Sequence, residues 1–138
     1  MHLNPYLTFN GQCEAAFKFY ERCLGGKIEM MLTHKDAPTA EQVPAEWRTK
    51  IMHARLAVGD QVLMGSDGPP GRHEAPKGFS VSLGIDDPAD AERIFHALAD
   101  KGTVQMPIQK TFWALKFGTL VDQFGIPWMI NCEGPAQS

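Results

Sequence analysis

The stretch that decides the fold is Pro5–Ile28, PYLTFNGQCEAAFKFYERCLGGKI. Tyr6-Leu7-Thr8-Phe9 is short and β-prone, and the Asn10-Gly11 that follows is a turn signal, so a strand is predicted there. From Gln12 to Leu24, Ala16, Phe19, Tyr20 and Cys23 recur at i, i+3, i+4 and i+7, while Glu14, Lys18, Glu21 and Arg22 take the other faces. That pattern is an amphipathic helix, and Gly25-Gly26 is the stop expected of a glycine C-cap. A strand is predicted from Lys27 to Thr33. The loop after it, His34 to Thr49 with Pro38 and Pro44, is long enough to serve as a lid or rim.

Further along, Lys50 to Val58 alternates regularly, with Met52, Ala54, Leu56 and Val58 on one side and Ile51, His53, Arg55 and Ala57 on the other. This is a half-buried strand. Gly59-Asp60 turns the chain into a strand from Gln61 to Ser66, which Asp67-Gly68-Pro69-Pro70-Gly71 ends. Gly68 to Gly78 is the linker candidate, between a first module at 5–67 and a second at 79–133. In the second, Phe79 to Ile85 reads as a strand with Phe79, Val81, Leu83 and Ile85 facing one way and Ser80, Ser82 and Gly84 the other. Asp86-Asp87-Pro88 opens a helix that runs to about Lys101 and is closed by Gly102. Strands are predicted at Thr103 to Gln109, Ala114 to Val121 and Ile126 to Cys132, with a frayed tail from Glu133. Overlaying the halves pairs Ala16 with Ala91, Phe19 with Ile94, Tyr20 with Phe95, Cys23 with Leu98 and Met64 with Met129. The repeat is one of pattern, and the expected architecture is α+β, a single domain of tandem βαβββ modules.

Composition agrees with a globular chain: 138 residues, 43% hydrophobic and 21% charged, with a formal net charge of −3. No cluster of Lys and Arg provides a footprint for phosphate backbones or anionic lipid, so neither nucleic acid nor membrane is an expected partner. Met1-His2-Leu3-Asn4-Pro5 lacks the basic start and apolar stretch of a signal peptide. No apolar run reaches the roughly 20 residues that span a bilayer. Cys13, Cys23 and Cys132 are odd in number and have no CxxC spacing, which suggests neither a zinc knuckle nor a disulfide framework and points to a reducing cytoplasm. Nucleotide and hydrolase signatures (GxGxxG after a strand, GxxxxGK[ST], GxSxG) are missing from the sequence.

Three stretches in order carry a family resemblance: Pro5–Ile28, KIMHARLAVGDQVLMGSDGPPG at Lys50–Gly71, and VQMPIQKTFWALKFGTLVDQFGIPWMINCE at Val104–Glu133. From Pro5 to Glu133 the chain resembles the PhnB-like branch of the vicinal oxygen chelate superfamily, which includes glyoxalase I, extradiol dioxygenases and bleomycin-resistance proteins. The resemblance implies that the modules form a curled mixed-sheet cup, helices on the convex side and ligand on the concave side, and that the chain is a homodimer. It then assigns Met52, Ala54, Leu56 and Val58, and Phe79, Val81, Leu83 and Ile85, to the core under the helices, with His53, Arg55, Ser80, Ser82 and Gly84 toward the cup or its rim. Relatives have carried a methyltransferase label related to demethylubiquinone. This sequence offers no strand-to-helix glycine loop to cradle a nucleoside cofactor.

Metal-dependent members of the superfamily take His, Gln or Glu ligands from four strand positions, and the resemblance places these at Pro5, Met64, Ser80 and Met129. None is a usual ligand for a divalent ion, so neither metal nor cofactor is expected. His2, His34, His53, His73 and His96 show no HxH, HxxxH or HExxH spacing. His53, with Arg55 two residues on, suits an anionic group or general-base work, and the plainer reading, which the sequence favours, is a rim histidine bonded to a neighbouring strand. Ser66-Asp67 either places a carboxylate at the cup mouth or is part of a turn. Of the aromatic concentration in the second half, Trp128 is expected in the core, while Trp113 and Phe117 suit either a pocket wall or core packing. The expected ligand-binding set is His53, Arg55, Met64, Ser66, Ser80, Trp113, Phe117 and Met129. The expected function is binding of a small, largely apolar molecule in a metal-free cup, with any catalysis metal-independent. Two alternatives stand: a metal-dependent glyoxalase, lyase or dioxygenase using His53, Asp67 or Glu133 as ligands, and a bleomycin-resistance-type sequestration protein.

Overall fold

The chain begins with β1 (Tyr6–Phe9), α1 (Cys13–Leu24), β2 (Lys27–Thr33), β3 (Ile51–Val58) and β4 (Gln61–Asp67). The same succession returns as β5 (Val81–Gly84), α2 (Pro88–Ala99), β6 (Thr103–Gln109), β7 (Lys116–Val121) and β8 (Pro127–Cys132). The computed structural model describes residues 1–38, 40–71 and 73–134, so the tail expected to fray from Glu133 lies outside the described residues beyond Gly134. Contacts divide the chain into two units, Met1–Glu74 and Ala75–Ser138. Each unit holds one four-stranded sheet, ordered β1-β4-β3-β2 in the first and β5-β8-β7-β6 in the second. In both, the first and last strands of the unit pair parallel and the other neighbours antiparallel. The predicted α+β fold of two βαβββ modules is therefore the observed one, with mixed, open sheets.

In the first unit α1 packs on β2, β3 and β4 and buries Cys13, Ala16, Phe17, Phe19, Tyr20 and Cys23. Facing it are Leu7, Phe9, Ile51, Ala54, Leu56 and Leu63, all buried. Gly25 at φ 72° ends α1, its N–H donating to the Glu21 carbonyl, as a left-handed glycine cap does. No side chain of Gln12 caps the other end. Asp67 at the end of β4 performs that task from a distance: Oδ1 accepts the N–H groups of Gly11 (2.8 Å) and Cys13 (3.0 Å), and Oδ2 that of Ile51 (2.8 Å). At 3% exposure, Asp67 is a structural anchor rather than a group at a cup mouth. Burial and the charges of Asp67 and Glu14 hold the Cys13 thiol well above its usual range.

In the second unit α2 packs on β6, β7 and β8 through Ala91, Phe95 and Leu98. Asp87 caps it by accepting the Ala89 N–H at 2.9 Å, and Pro88 occupies the first turn. Trp128 is buried as predicted, and its Nε1–H donates to Asp122 Oδ2 at 2.8 Å. Asp122 Oδ1 accepts the N–H groups of Phe124 and Ile126, closing the turn into β8.

Four local expectations change. Ile51, not Met52, is buried in β3, because Leu32 pairs with His53 and Thr33 with Ile51, so Met52 is the extra residue of a β-bulge and parity slips there. Phe79 is 52% exposed, since the β5–β8 ladder starts only at Val81 and Trp128. Gly102 lies beyond the end of α2 and is required by close approach: a Cβ there would strike the Val121 carbonyl, and the left-handed residue is Lys101. Among its described residues the 34–50 segment contains three short 3-10 turns, and it is fastened to its own unit by Trp47 Nε1–H donating to the Gly68 carbonyl at 2.9 Å.

Candidate functional site

In each unit the sheet face opposite the helix is the one on which a ligand can lie. On the first, parity and register set Tyr6, Met64, Arg55 and Met30 in one row across β1, β4, β3 and β2. Thr8 and Ser66 stand beside one another in the next row, and His53 pairs with Leu32. His53, Arg55, Met64 and Ser66, the candidates of the first module, are thus brought together on one face. Tyr6, which sequence reasoning did not single out, stacks on His53 with ring centroids 5.9 Å apart and its hydroxyl 3.3 Å from Nδ1. Arg55 Nε lies 3.8 Å from Glu29 Oε1. Glu29 is the residue skipped between the Ile28–Leu56 and Met30–Arg55 pairs, so a bulge in β2 aims its carboxylate at Arg55.

On the second unit the corresponding row is Ser82, Met129, Thr119 and Met106. An open depression of about 610 Å³ lies here, within the size range of small-molecule sites. Its polar lining is Lys77, Ser80, Ser82 and Gln105, and its apolar lining Pro76, Phe79, Val121, Pro127 and Met129. Ser80 and Met129 therefore lie at one place. Trp113 and Phe117 do not join them: Phe117 is packed edge-on under Trp113 at 5.2 Å, and Trp113 against Phe112 at 4.7 Å, in a separate stack. Phe112 is 97% exposed at the tip of that stack. Gln105 and Phe79 were missed. Gln105 is the residue skipped between the Val104–Leu120 and Met106–Thr119 pairs, and no residue type in the sequence announces such a bulge.

The side chain beside Met64 is Tyr6, and the one beside Met129 is Ser82, where the resemblance had placed Pro5 and Ser80. A phenol, a hydroxyl and two thioethers do not match the imidazole and carboxylate donors that a divalent ion of the glyoxalase type takes. Among the described residues no group of three or more His, Cys, Asp or Glu could hold a metal ion. Asp67 has its oxygens committed to backbone N–H groups.

This architecture is that of the vicinal oxygen chelate superfamily. The chain belongs to its PhnB-like family, whose model, described as 3-demethylubiquinone-9 3-methyltransferase, matches residues 1–131. It is 35% identical to Protein YjdN of Escherichia coli (strain K12), over 95% of each chain. The crystal structure of protein PA1353 from Pseudomonas aeruginosa matches with a TM-score of 0.89 and 51% identity, covering 98% of this chain and 99% of that one. A putative 3-demethylubiquinone-9 3-methyltransferase, PhnB protein, from Bacillus cereus shares the fold with a TM-score of 0.79 and 21% identity, over 96% and 99% of the chains. The fosfomycin resistance protein FosX from Mesorhizobium loti shares it at 0.62 and 12%, over 98% and 92%. Methyl transfer, as in the family's description, calls for a nucleoside cofactor. The strand-to-helix turns do not fit one: the Gly11 and Cys13 amides are bonded to Asp67, and Ala89 to Asp87. No helix among the described residues is long and apolar enough to cross a membrane.

Proposed function

We propose that the chain binds a small, largely apolar molecule without a metal ion, and that any reaction it performs is metal-independent. The observation that carries this reading is the depression beside Ser82 and Met129, with apolar walls and few polar groups. His53, Arg55, Met64 and Ser66 offer a second, more polar surface of the same binding protein, and the Trp113–Phe117 stack an aromatic one. The same reading makes the chain a cytoplasmic homodimer. Three free, buried cysteines support the reducing compartment. Apolar side chains exposed on the edge strands, Met30 and Leu32 on β2 and Val104 and Met106 on β6, support pairing with a second copy.

The test is elemental mass spectrometry on untagged protein before and after incubation with Zn²⁺, Ni²⁺, Mn²⁺ and Fe²⁺, followed by a thermal-shift screen of small organic molecules. The expected result is substoichiometric metal and a subset of apolar compounds that raise the melting temperature in proportion to the logarithm of their concentration. Near-stoichiometric metal overturns the reading in favour of lyase or dioxygenase chemistry. Ligand bound at one per two chains would replace it with sequestration at a dimer interface.

A further inference from the structure

The depression in the second unit has an electrostatic character that its size alone does not convey. Its polar lining holds one cation, Lys77, and no carboxylate; Ser80, Ser82 and Gln105 are neutral. All four of these side chains can donate hydrogen bonds, and Lys77 can only donate. None of the ion pairs among the described residues engages Lys77, so its ammonium has no acid partner to neutralise it. The counterpart of this place in the first unit is different, since there the bulge residue Glu29 sits against Arg55 and the two charges cancel. Beside the donors lie Phe79, half of whose surface is exposed, with Val121, Pro127 and Met129. A neutral apolar molecule would leave these donors bonded only to water at the ligand's edge, and an ammonium ligand would be repelled by Lys77. A phosphate dianion asks for more positive charge than one lysine supplies and approaches a chain of net charge −3.

Resting on the reading just proposed, we infer that the ligand of this depression is a monoanion: one carboxylate, held by Lys77 and the neighbouring Ser80 and Ser82 hydroxyls, on an apolar body laid against Phe79 and Met129. The carboxylate accepts hydrogen bonds at both oxygens, which the ammonium and hydroxyls can donate together. The body covers apolar surface that is otherwise wet.

The experiment compares three compounds with one body and different heads, 4-phenylbutyrate, 4-phenylbutanol and 4-phenylbutylamine, titrated into the full chain labelled with ¹³C at the methionine methyls. The Met129 methyl reports occupancy of the depression, and Met129→Leu assigns its signal. The acid is expected to shift that signal with a Kd about tenfold below that of the alcohol, the size of one charge-assisted hydrogen bond. The amine is expected not to shift it. Lys77→Gln, at an exposed position, should raise the Kd of the acid to that of the alcohol and leave the alcohol's unchanged. If the alcohol or the amine binds as well as the acid, or Lys77→Gln weakens all three alike, the carboxylate inference falls and the apolar site remains. If none of the three moves the Met129 signal, the reading of the depression as a ligand site falls with it.

Discussion

The two units carry the same skeleton under their helices and different chemistry on the opposite faces. On the first, Tyr6, Met64 and Arg55 share a row; on the second, Ser82, Met129 and Thr119 stand at the corresponding places. Both second strands of the modules, β2 and β6, carry a bulge at the same point, and the residue it releases is Glu29 in one and Gln105 in the other. The first unit therefore spends its polar groups on one another, Tyr6 on His53 and Glu29 on Arg55. The second leaves hydroxyls, an amide and Lys77 around an open depression. Faces that must pack under a helix tolerate little change of volume, whereas faces turned away from it are free to acquire or lose polar groups.

The buried aspartates test how alike the skeletons are, and the largest effect is expected there. Asp67 ties down amides 56, 54 and 16 residues away, so Asp67→Ala should lower the unfolding free energy in urea by about 3–5 kcal/mol, the cost of several buried donors left without an acceptor. Asp122 accepts from donors 2, 4 and 6 residues away in the turn into β8, and Asp122→Ala should cost about 2 kcal/mol. Equal losses would break the distinction between a long-range anchor and a local one.

Next in size is the packing of each sheet under its helix. Across the first sheet Ala54 stands beside Gly65, and across the second Gly118 stands beside Ile130, so the smallest residue has changed strands. A Cβ at Gly118 would come within 2.7 Å of Phe95 and 2.9 Å of the Ile108 Cα. Gly118→Ala should therefore cost about 1–3 kcal/mol in the same urea measurement. A neutral outcome would mean that β6 can give way beneath α2 and that the second core is the looser one.

The smaller effects lie on the first unit's distinctive features. Tyr6→Phe removes a 3.3 Å hydrogen bond in an exposed setting and should change stability by about 0.5 kcal/mol or less in thermal unfolding. A loss several times larger would place the Tyr6–His53 pair among the groups that hold the fold. At the entrance to the 34–50 segment, which has no counterpart in the second unit, the Thr33 hydroxyl and amide donate to Asp36 and hold its carboxyl below the usual range. A depressed folded-state value stabilises above the unfolded value, and that contribution is lost as pH falls through the folded one. Thr33→Val should move the Asp36 titration upward in an NMR pH series and make this acid-limb loss smaller; an unmoved titration would deny the hydroxyl its part.

Much of the skeleton was readable because it rests on local chemistry. The spacing of Ala16, Phe19, Tyr20 and Cys23, the Gly25 stop and the Asp87-Pro88 start each act within a turn or two of the chain. Parity along a strand then assigns faces, and it placed Trp128 in the core and Ser82 away from it. The same parity failed at Met52, because a bulge shifts the alternation without any residue type marking it. Phe79 was misplaced for a related reason: whether a β-prone residue joins a strand depends on where the partner strand begins. At the candidate site, Ser80 and Met129 were named from the resemblance, while Tyr6, Gln105 and Glu29 became visible only through register.

The sequence by itself determined the two-module pattern, the helix faces, the caps and the residue types available to a ligand, since periodicity and turn chemistry are properties of neighbours along the chain. Tertiary structure alone decided which of those residues meet. Pairing of β1 with β4 and of β5 with β8 joins the start of each module to its end, and the bulges in β2 and β6 turn Glu29 toward Arg55 and bring Gln105 to the depression. Such juxtapositions depend on hydrogen-bond register between distant strands, where a slip of one residue exchanges one face for the other.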